Sequence, residues 1–353
     1  MRRRLENKFE ASMTAMHTPP PFSLAPEPCT WFDDAYCHAQ LTDAPVAYLN
    51  ALQRDLQGVA DGELAIALPA KQIFADSVEE CRLSGSGKGD FRVMPCVVRG
   101  PERITKTVKI VGSNFNRKTV GERMTVGRAL YLDPQENFVH SEFAAFALSS
   151  ARTGACAAIA HRLLHGGRSL IIFGAGPVAW YAAYYLASDK RIDRLNLIDP
   201  DVDKARRTFS ALKLQFPHLQ GEYLASLAQV DDSEVAILAT DSQTPFFHPA
   251  MSRARLVISL GADSDEQSEL APEWIDHATL ITDLKDSALI GDLKRWHVAQ
   301  LLHRPLQLDL VKLLRSPPLP TSDQGRVVFI STGSALFDNL TIHYLQEKAN
   351  RQI

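Results

Sequence analysis

The sequence has little that would mark a secreted, membrane-embedded or metal-binding protein. No run of apolar residues approaches the ~20 that a membrane-spanning helix requires. Only 5 of the 353 residues are cysteines, an odd number with no C-x-x-C pair. This usage favours reduced thiols in a cytoplasmic protein, and we expect no metal site. The basic segment 1–8 has no apolar stretch behind it, so no secretory signal is expected.

Neither sign of charge is in large excess. The chain has 38 Lys and Arg residues against 41 Asp and Glu, a net charge of −3. Such a balance creates no global field that would favour nucleic acid or an anionic membrane. Hydrophobic residues make up 45% and charged residues 22%, as in ordinary globular proteins, and the length suffices for two domains. We therefore expect a small-molecule ligand.

The most informative motif is Gly174-Ala-Gly-Pro-Val-Ala179, which follows an apolar run and precedes a helix-periodic segment. Gly174 permits a tight turn, Gly176 lets the backbone approach a pyrophosphate, and small Ala179 lets the helix pack close to the sheet. The helix N-terminus, around Pro177 and Val178, offers free N–H groups to phosphates. The motif predicts a dinucleotide-binding turn.

A second apolar segment, 195–198, ends at Asp199. A carboxylate there can accept both ribose hydroxyls of NAD and would repel the 2′-phosphate of NADP. The predicted cofactor is therefore NAD(H). Arg206 and Arg207 lie one to two helical turns further along, and such cations could instead favour the 2′-phosphate of NADP.

The hydrophobic pattern predicts an α/β protein with a Rossmann-type, doubly wound parallel sheet and an α+β substrate and dimerisation domain. Predicted strands alternate with helices in the second half of the chain. They cover residues 170–173, 195–198, 235–239, 256–260 and 279–281. Upstream, we predict helices over 45–60 and 141–164, and strands over 63–68, 91–98, 105–111 and 124–132. A last strand, 327–330, and a helix, 335–349, follow.

The predicted domain boundaries follow from these elements. Residues 1–30, rich in proline and polar groups, form a flexible lead-in. Residues 31–152 and 320–353 form the substrate-binding and dimerisation domain, and residues 153–319 form the NAD-binding domain. Pro317, Pro318 and Pro320 mark a linker.

Four further segments carry a family resemblance. They are Leu148-Ser-Ser-Ala-Arg-Thr-Gly-Ala155, Ala239-Thr-Asp-Ser-Gln-Thr-Pro245, Gly261-Ala-Asp-Ser-Asp-Glu-Gln-Ser-Glu-Leu270 and Val327-Val-Phe-Ile-Ser-Thr-Gly-Ser-Ala-Leu-Phe-Asp338. Together they resemble the ornithine cyclodeaminase/μ-crystallin family from about Leu68 onwards. The resemblance implies an NAD(P)-dependent protein that acts on α-amino or α-imino acids and forms a homodimer through shared β-structure.

An amino-acid substrate brings a carboxylate, which needs fixed cations. Arg152 lies on the helix entering the nucleotide domain and is the predicted fork for that carboxylate. The resemblance assigns the same role to Lys109, which could otherwise lie on an exposed strand face. Lys71 matches the family only loosely and could be an ordinary surface lysine.

Asp263 is the predicted acid/base group, with Lys109 as a second catalytic candidate. Asp263 follows an apolar strand at the carboxyl edge of the predicted parallel sheet, where α/β folds place ligand-binding groups. A carboxylate there could accept the proton of a substrate amine and then activate water or steer a second amine at the imine. The alternative is a helix N-cap, which Gly-Ala-Asp-Ser would also suit.

The remaining candidates are hydroxyl side chains near strand ends. Thr153, Thr240, Ser242 and Ser331 are predicted to contact the cofactor, although Thr240 and Ser242 could simply form a turn. Thr125 is a candidate for the substrate pocket or an ordinary strand threonine. Asp338 could cap or position the loop after the last strand.

The chain also departs from the ornithine-specific pattern. Arg92 stands where ornithine cyclodeaminases have Glu, and Gln267 stands where they have Lys. A cation in place of a carboxylate argues against a second substrate amino group and favours an acidic side chain, so ornithine itself is not the expected substrate. The retained Asp263 favours an NAD(H)-dependent enzyme acting at the Cα–N bond of an amino or imino acid. An imine reductase or opine-type dehydrogenase, and a non-catalytic μ-crystallin-like binding protein, are the alternatives.

Overall fold

The computed structural model describes residues 23, 25–84, 89–113, 123–227, 230–285, 290–302, 306, 308–315 and 325–352. Most of the predicted lead-in (1–22 and 24) and the predicted linker around Pro317 lie outside the described residues. Within these ranges, no helix combines the length and the apolar character needed to cross a membrane. None of the five cysteines is joined to another in a disulfide within the described residues.

Seven strands of the described chain form a mixed sheet, which we call sheet 1. They are β1 (Thr30–Phe32), β2 (Ala65–Ala67), β3 (Gln72–Ala75), β4 (Asp90–Arg99), β5 (Ile104–Ser113), β6 (Thr125–Leu132) and β7 (Val139–Ala144). The order is β1-β7-β6-β5-β4-β2, with β3 also paired to β4. β1 runs parallel to β7, and the other pairs are antiparallel.

Period-two alternation decides which side chains of sheet 1 reach the protein interior. In β4, Arg92, Met94 and Cys96 are buried, whereas Phe91 is exposed. Lys109 of β5 lies opposite Met94 and is buried on the same face. The inner face of this sheet therefore carries two cations as well as a hydrophobic core.

Seven parallel strands form sheet 2 in the same described ranges. They are β8 (Ser169–Phe173), β9 (Arg194–Ile198), β10 (Gln220–Leu224), β11 (Val235–Leu238), β12 (Leu256–Ser259), β13 (Thr279–Thr282) and β14 (Val327–Ile330). The order is β10-β9-β8-β11-β12-β14-β13. β11 and β12 are buried throughout, as their apolar sequences require when both faces are covered.

The chain order reverses beside β8, because β9 and β10 lie on one side of it and β11 onwards lie on the other. The carboxyl ends of β8 and β11 therefore flank a topological switch point, the position at which open α/β sheets bind ligands. Gly174 directly follows β8, and the turn to Thr240 follows β11.

The helices begin and end where their sequences direct. They are α1 (Asp34–Asp43), α2 (Pro45–Asp61), α3 (Val78–Ser84), α4 (Ala145–Leu163), α5 (Pro177–Ser188), α6 (Val202–Gln215), α7 (Trp274–His277), α8 (Gly291–Val298), α9 (Leu310–Arg315) and α10 (Ala335–Asn350). Asp33 caps α1 and Ser334 caps α10 through side-chain acceptors. Gly62 ends α2 with φ of 82° in the left-handed region.

Helix α4 connects the two sheets. It packs against β6 of sheet 1 and against α5 beside sheet 2. Its small residues allow the close contact, since a Cβ added to Gly154 would lie 2.6 Å from the amide nitrogen of Ala182. The helix is continuous across the predicted boundary at residue 152, so side chains of one helix can face both sheets.

The predicted fold class is confirmed: a doubly wound parallel sheet stands beside a mixed sheet with helices. Two details differ from the sequence-based expectation. Residues 141–144, predicted as helix, form β7 because pairing with β6 overrides the helical preference of this Ala-rich run. Residues 320–353 do not all accompany sheet 1, since β14 inserts between β12 and β13 while α10 packs on β4 and β5. The remaining domain boundaries stay predictions.

Candidate functional site

A cleft of about 1170 Å³ runs between the inner face of sheet 1 and the carboxyl edge of sheet 2. Most of the predicted site residues line it. These are Lys71, Arg92, Lys109, Thr125, Arg152, Thr153, Gly174, Gly176, Pro177, Val178, Asp199, Thr240, Ser242 and Asp263. The fold thus gathers residues that are far apart in the sequence, from Lys71 to Asp263, at the switch point of sheet 2.

One end of the cleft is formed by the turn from β8 to α5. Gly174 has φ of 95°, and an added Cβ would lie 2.3 Å from the carbonyl oxygen of Ala239. An added Cβ at Gly176 would meet no atom within 4 Å, so this backbone is open to the cleft. The first amide bonded back within the helix is that of Trp180, which donates to Gly176 O. Earlier amides of α5 are therefore available to an anion. Ala179 is fully buried and serves helix packing.

Asp199 lies at the same end and accepts three hydrogen bonds. The donors are the amides of Ala175 (2.8 Å) and Asp201 (2.9 Å) and the ammonium of Lys204 (3.0 Å). The cation beside this carboxylate is therefore Lys204, on the first turn of α6. It is not one of the two arginines considered from the sequence, and Arg206 pairs with Asp203 instead.

The hydroxyls beside the turn are occupied within the protein. Thr153 Oγ1 donates to Ser149 O, and Ser242 Oγ donates to Thr244 O. Thr240 donates through both its amide and its hydroxyl to Glu269 Oε1, each at 2.8 Å.

Glu269, which sequence reasoning passed over, holds the carboxyl edge of sheet 2 together. Besides Thr240, its carboxylate accepts from Ser259 Oγ and from the amide of Gly261, both at 2.9 Å. The side chain is fully buried, and burial raises its pKa. The signal was present in the Gly-Ala-Asp…Glu-Leu motif. Glu269 fixes the ends of β11 and β12, from which Thr240 and Asp263 project.

The other end of the cleft is a cluster of cations from four separate segments. Arg92 donates through Nη1 to Asp263 Oδ2 at 2.7 Å. Its Nε and Nη2 donate to the two oxygens of Asp90 at 2.8 and 2.9 Å, and Nη2 also reaches Ser113 Oγ at 3.2 Å. Arg92 is thus held between two carboxylates and is not a free cation. This arrangement removes the basis for expecting an acidic substrate side chain opposite it.

Lys109 and Arg152 share one carboxylate oxygen. Lys109 Nζ donates to Asp338 Oδ1 at 2.7 Å, and Arg152 Nε lies 2.9 Å from the same atom. Lys109 is 1% exposed, so the alternative of an exposed strand face is wrong. Burial, reinforced by Arg152, lowers the pKa of Lys109 to about 7.

Lys71 is also not an ordinary surface lysine. Its ammonium donates to the carbonyl oxygens of Thr332 (2.9 Å) and Asp263 (3.1 Å). Burial lowers the pKa of Lys71 to about 8. These bonds tie the segment before β3 to the two loops that follow β12 and β14.

Asp263 lies among these cations, with its side chain one-third exposed (33%). No helix of the described chain begins there, since the next one starts at Trp274, so the N-cap alternative is wrong. Burial by itself would raise the pKa of Asp263, but Arg92 and Lys71 together hold it below its ordinary value. The carboxylate is therefore ionised at neutral pH.

Ser331 is not brought to the cleft. It is 2% exposed, it is not among the residues that line the cleft, and its hydroxyl donates to Asp283 Oδ2 at 2.7 Å. The predicted cofactor contact of Ser331 is therefore not supported, because the hydroxyl already serves a buried carboxylate. Asp90 and Lys204 were absent from the predicted site, and Asp338 was predicted only to cap or position the loop after β14; all three contact charged residues of the site directly.

Comparisons with known proteins agree with this architecture. Residues 47–352 match the model of the ornithine cyclodeaminase/mu-crystallin family. A Δ(1)-pyrroline-2-carboxylate reductase of Bacillus cereus is 24% identical over 265 residues, covering 73% of this chain and 81% of the relative. An L-lysine cyclodeaminase of Streptomyces rapamycinicus is 28% identical over 272 residues, covering 74% and 76%.

Among solved structures, the Thermococcus litoralis Δ(1)-pyrroline-2-carboxylate reductase in complex with NADH and L-proline has a similar fold. Its TM-score is 0.79 at 17% identity, over 92% of this chain and 98% of that one. The family match spans most of the sequence and includes every charged residue of the cleft described above. The chain belongs to the ornithine cyclodeaminase/mu-crystallin family.

Proposed function

We propose that the protein is an NAD(H)-dependent enzyme acting at the Cα–N bond of a small α-imino or α-amino acid, and that it reduces a cyclic imino acid. One observation carries the proposal. The phosphate-binding turn at Gly174–Val178 and the cluster of Lys71, Lys109, Arg152 and Asp263 lie at two ends of one cleft. Such a cleft can hold a dinucleotide and a carboxylate together.

The residues at the turn fit NAD(H). The open backbone at Gly176 and the unpaired amides at the start of α5 suit a pyrophosphate, and Asp199 suits a ribose diol. When bound, NADH supplies the hydride that Cα gains as the C=N bond is reduced, and a proton adds at nitrogen. Solved structures of similar fold hold NADH or NAD, which supports the same cofactor here.

Charge at the substrate end favours one carboxylate on the substrate. Four cations, Lys71, Arg92, Lys109 and Arg152, face three carboxylates there: Asp90, Asp263 and Asp338. A bound monocarboxylate would balance the remaining positive charge. A diamino acid would add a second ammonium, and Asp263, which already pairs with Arg92, would have to offset both that charge and the charge at the reacting nitrogen. We therefore propose a cyclic imino acid rather than ornithine.

Two side chains suit the proton chemistry of this reduction. The protonated imine carries a positive charge at nitrogen, which the ionised Asp263 would stabilise. Lys109, with a pKa of about 7, can hold or release a proton near neutral pH. Arg152 would hold the substrate carboxylate, since a guanidinium grips both oxygens.

A cyclodeaminase is the second candidate, favoured by the similarity to L-lysine cyclodeaminase. It would use the same carboxylate grip, with Asp263 accepting the proton of the substrate amine and then steering the second amine. The reaction is redox-neutral overall and releases ammonia, so the two activities can be separated in one set of assays.

The test is to follow NADH oxidation and ammonia release with the purified protein. The panel should contain Δ1-pyrroline-2-carboxylate, Δ1-piperideine-2-carboxylate, 2-oxo acids with amines, L-ornithine and L-lysine. We expect NADH consumption with a cyclic imino acid and no ammonia from the diamino acids. Ammonia without net NADH change would establish the cyclodeaminase. Ligand binding without any turnover would establish the non-catalytic alternative.

We also propose that the protein forms a homodimer through the outer face of sheet 1. Phe91 and Ile110 are 48% and 41% exposed there, and the ring of Phe91 stacks on that of Phe74 with centroids 4.6 Å apart. An apolar sheet face left open to water is typical of an interface. Light scattering of the purified protein tests the stoichiometry, and a monomer would contradict this proposal.

A further inference from the structure

We propose that Asp338 is a positioning residue for the carboxylate-binding end of the cleft, because it fixes Lys109 and Arg152 without lining the cleft itself. The inference rests on the proposed function, since it assigns the two cations to the substrate carboxylate. It adds a residue from the C-terminal helix α10, far along the chain from the other charged groups.

The first support is the sharing of one oxygen. Asp338 Oδ1 accepts from Lys109 Nζ at 2.7 Å and lies 2.9 Å from Arg152 Nε. Both partners and Asp338 itself are buried. A buried carboxylate that contacts two cations through one atom sets the distance between them. Lys109 is fixed to sheet 1 and Arg152 to α4, so Asp338 joins the two walls of the cleft.

The second support is incomplete pairing. Asp338 Oδ2 is buried and has no hydrogen-bond partner among the described residues, and the same is true of Arg152 Nε. An unsatisfied buried carboxylate oxygen is costly, and stability alone would favour a fully paired or apolar arrangement. Asp338 contacts Arg152 at Nε, so within the described residues Nη1 and Nη2 stay available to a substrate carboxylate, which binds through two such donors.

The third support is the loop that leads into α10. Gly333 has φ of 79°, and an added Cβ would lie 3.0 Å from both Nη1 and Nη2 of Arg152. The preceding residue, Thr332, accepts from Lys71. The segment from Thr332 to Asp338 therefore contacts three cations of the cluster, Lys71, Lys109 and Arg152.

The consequence is a specific pH dependence. The charged groups facing Lys109 are Asp338 from α10, Arg152 from α4, Lys71 from the segment before β3, and Arg92 further along β4, while β6 places an alanine opposite it. Asp338 is the sole carboxylate in contact with its ammonium within the described chain. Without it, Lys109 would lose its proton at a lower pH, and carboxylate binding would be lost at that lower pH.

The test compares Asp338→Asn with Thr341→Val, measuring the affinity for pyrrole-2-carboxylate, a planar ring carboxylate, in the presence of NADH from pH 5.5 to 8.5. Thr341 is also buried on α10, one turn after Asp338, and its hydroxyl lies 2.7 Å from that of Tyr48; among the described residues it forms no hydrogen bond with Lys109 or Arg152. Thr341→Val therefore measures what a lost hydrogen bond in α10 does by itself. Thermal unfolding of both variants reports on folding.

In the wild type, affinity should fall as the pH rises past about 7, where Lys109 loses its proton. In Asp338→Asn the midpoint should move to lower pH by about one unit, giving about tenfold weaker binding at pH 8 and a smaller difference at pH 5.5. Thr341→Val should keep the wild-type midpoint even if its Tm falls. Should Asp338→Asn fail to fold, Asp338→Glu replaces it: the longer side chain displaces the carboxylate from Lys109, so its midpoint should also lie below that of the wild type, while Lys109→Met should show no such midpoint.

Three results overturn the inference. An unchanged midpoint in Asp338→Asn, with wild-type binding intact, removes the positioning role while leaving the proposed function standing. An equal shift in Thr341→Val reduces the effect to general damage to α10. If the wild type binds no ring carboxylate at any pH, the proposed function fails first and this inference fails with it.

Discussion

Replacing Asp263 with Asn separates catalysis from structure, because the amide keeps the shape of the side chain and one acceptor for Arg92. Arg92 also keeps both bonds to Asp90, so no buried guanidinium is left without a partner. A hydrogen bond to a charged group contributes about 1.5–3 kcal/mol, and the retained neutral acceptor should limit the loss of unfolding free energy to about 2 kcal/mol or less.

Turnover should fall much further. The ionised carboxylate would stabilise positive charge at the substrate nitrogen, and Asn supplies no charge. We expect kcat to fall about 10²–10⁴-fold, the usual scale for a positioned acid, base or charge. NADH affinity should stay within about threefold, since the predicted dinucleotide turn lies at the other end of the cleft.

The matched control is Asp90→Asn, which removes charge from the other carboxylate on Arg92. Asp90 contacts Arg92 through both oxygens but does not line the cleft. Its replacement should cost at least as much stability as Asp263→Asn and less than about tenfold in kcat. The assay is initial rate beside urea unfolding for the three proteins. The reasoning is refuted if Asp263→Asn keeps near-normal turnover, or if Asp90→Asn loses as much.

Three further predictions concern the turn, the cofactor and pH. Gly176→Ala should fold normally yet bind NADH at least about tenfold more weakly, because its Cβ projects into the open cleft. Gly174→Ala should also lower the Tm, because its Cβ meets Ala239 O at 2.3 Å. NADH binding by Gly176→Ala equal to that of the wild type, in a fluorescence titration, would contradict this. NADH should bind more tightly than NADPH, and Lys204→Ala should widen that ratio of affinities about threefold to tenfold by removing the cation 3.0 Å from Asp199. An unchanged ratio in the same titration would show that Lys204 plays no part, and a narrower ratio would contradict the reasoning. Burial lowers the pKa of Lys109 from 10.5 to about 7, so between these pH values the unfolded chain binds a proton that the folded chain does not. The free energy of unfolding in urea should therefore rise from pH 7 to 10 more steeply in the wild type than in Lys109→Met. Parallel plots of unfolding free energy against pH would show that Lys109 titrates normally.

Local sequence features were enough to predict most of sheet 2. Each of its central strands is a short, continuous apolar run, as a sheet covered on both faces requires. The turn at Gly174 has the glycine spacing that is typical of a dinucleotide-binding turn. The position of β14 was not predictable in the same way. Its pairing between β12 and β13 depends on strands distant in sequence, and Val327–Ile330 would have fitted either sheet.

The site divides along the same line. Arg152 and Asp263 could be proposed from the sequence because each lies within a recognisable local motif. The pairing of Lys109 with Asp338 joins positions 229 residues apart, and neither segment has a sequence feature that identifies the other as its partner. For Arg92 the sequence showed the charge but not its partner. The ion pair between its guanidinium and Asp90 depends on the geometry of β4.

The most direct test of chemistry at Cα uses NADH deuterated at C4 of the nicotinamide on the transferring face, incubated with the enzyme and a cyclic imino acid. Mass spectrometry of the product should show one deuterium, located at the carbon that bears both nitrogen and carboxylate, in an amount equal to the NADH consumed. The label should be absent when Asp263→Asn replaces the wild type over the same interval. Product without deuterium, or NADH oxidation without a cyclic amino acid, would contradict hydride transfer to Cα in this cleft.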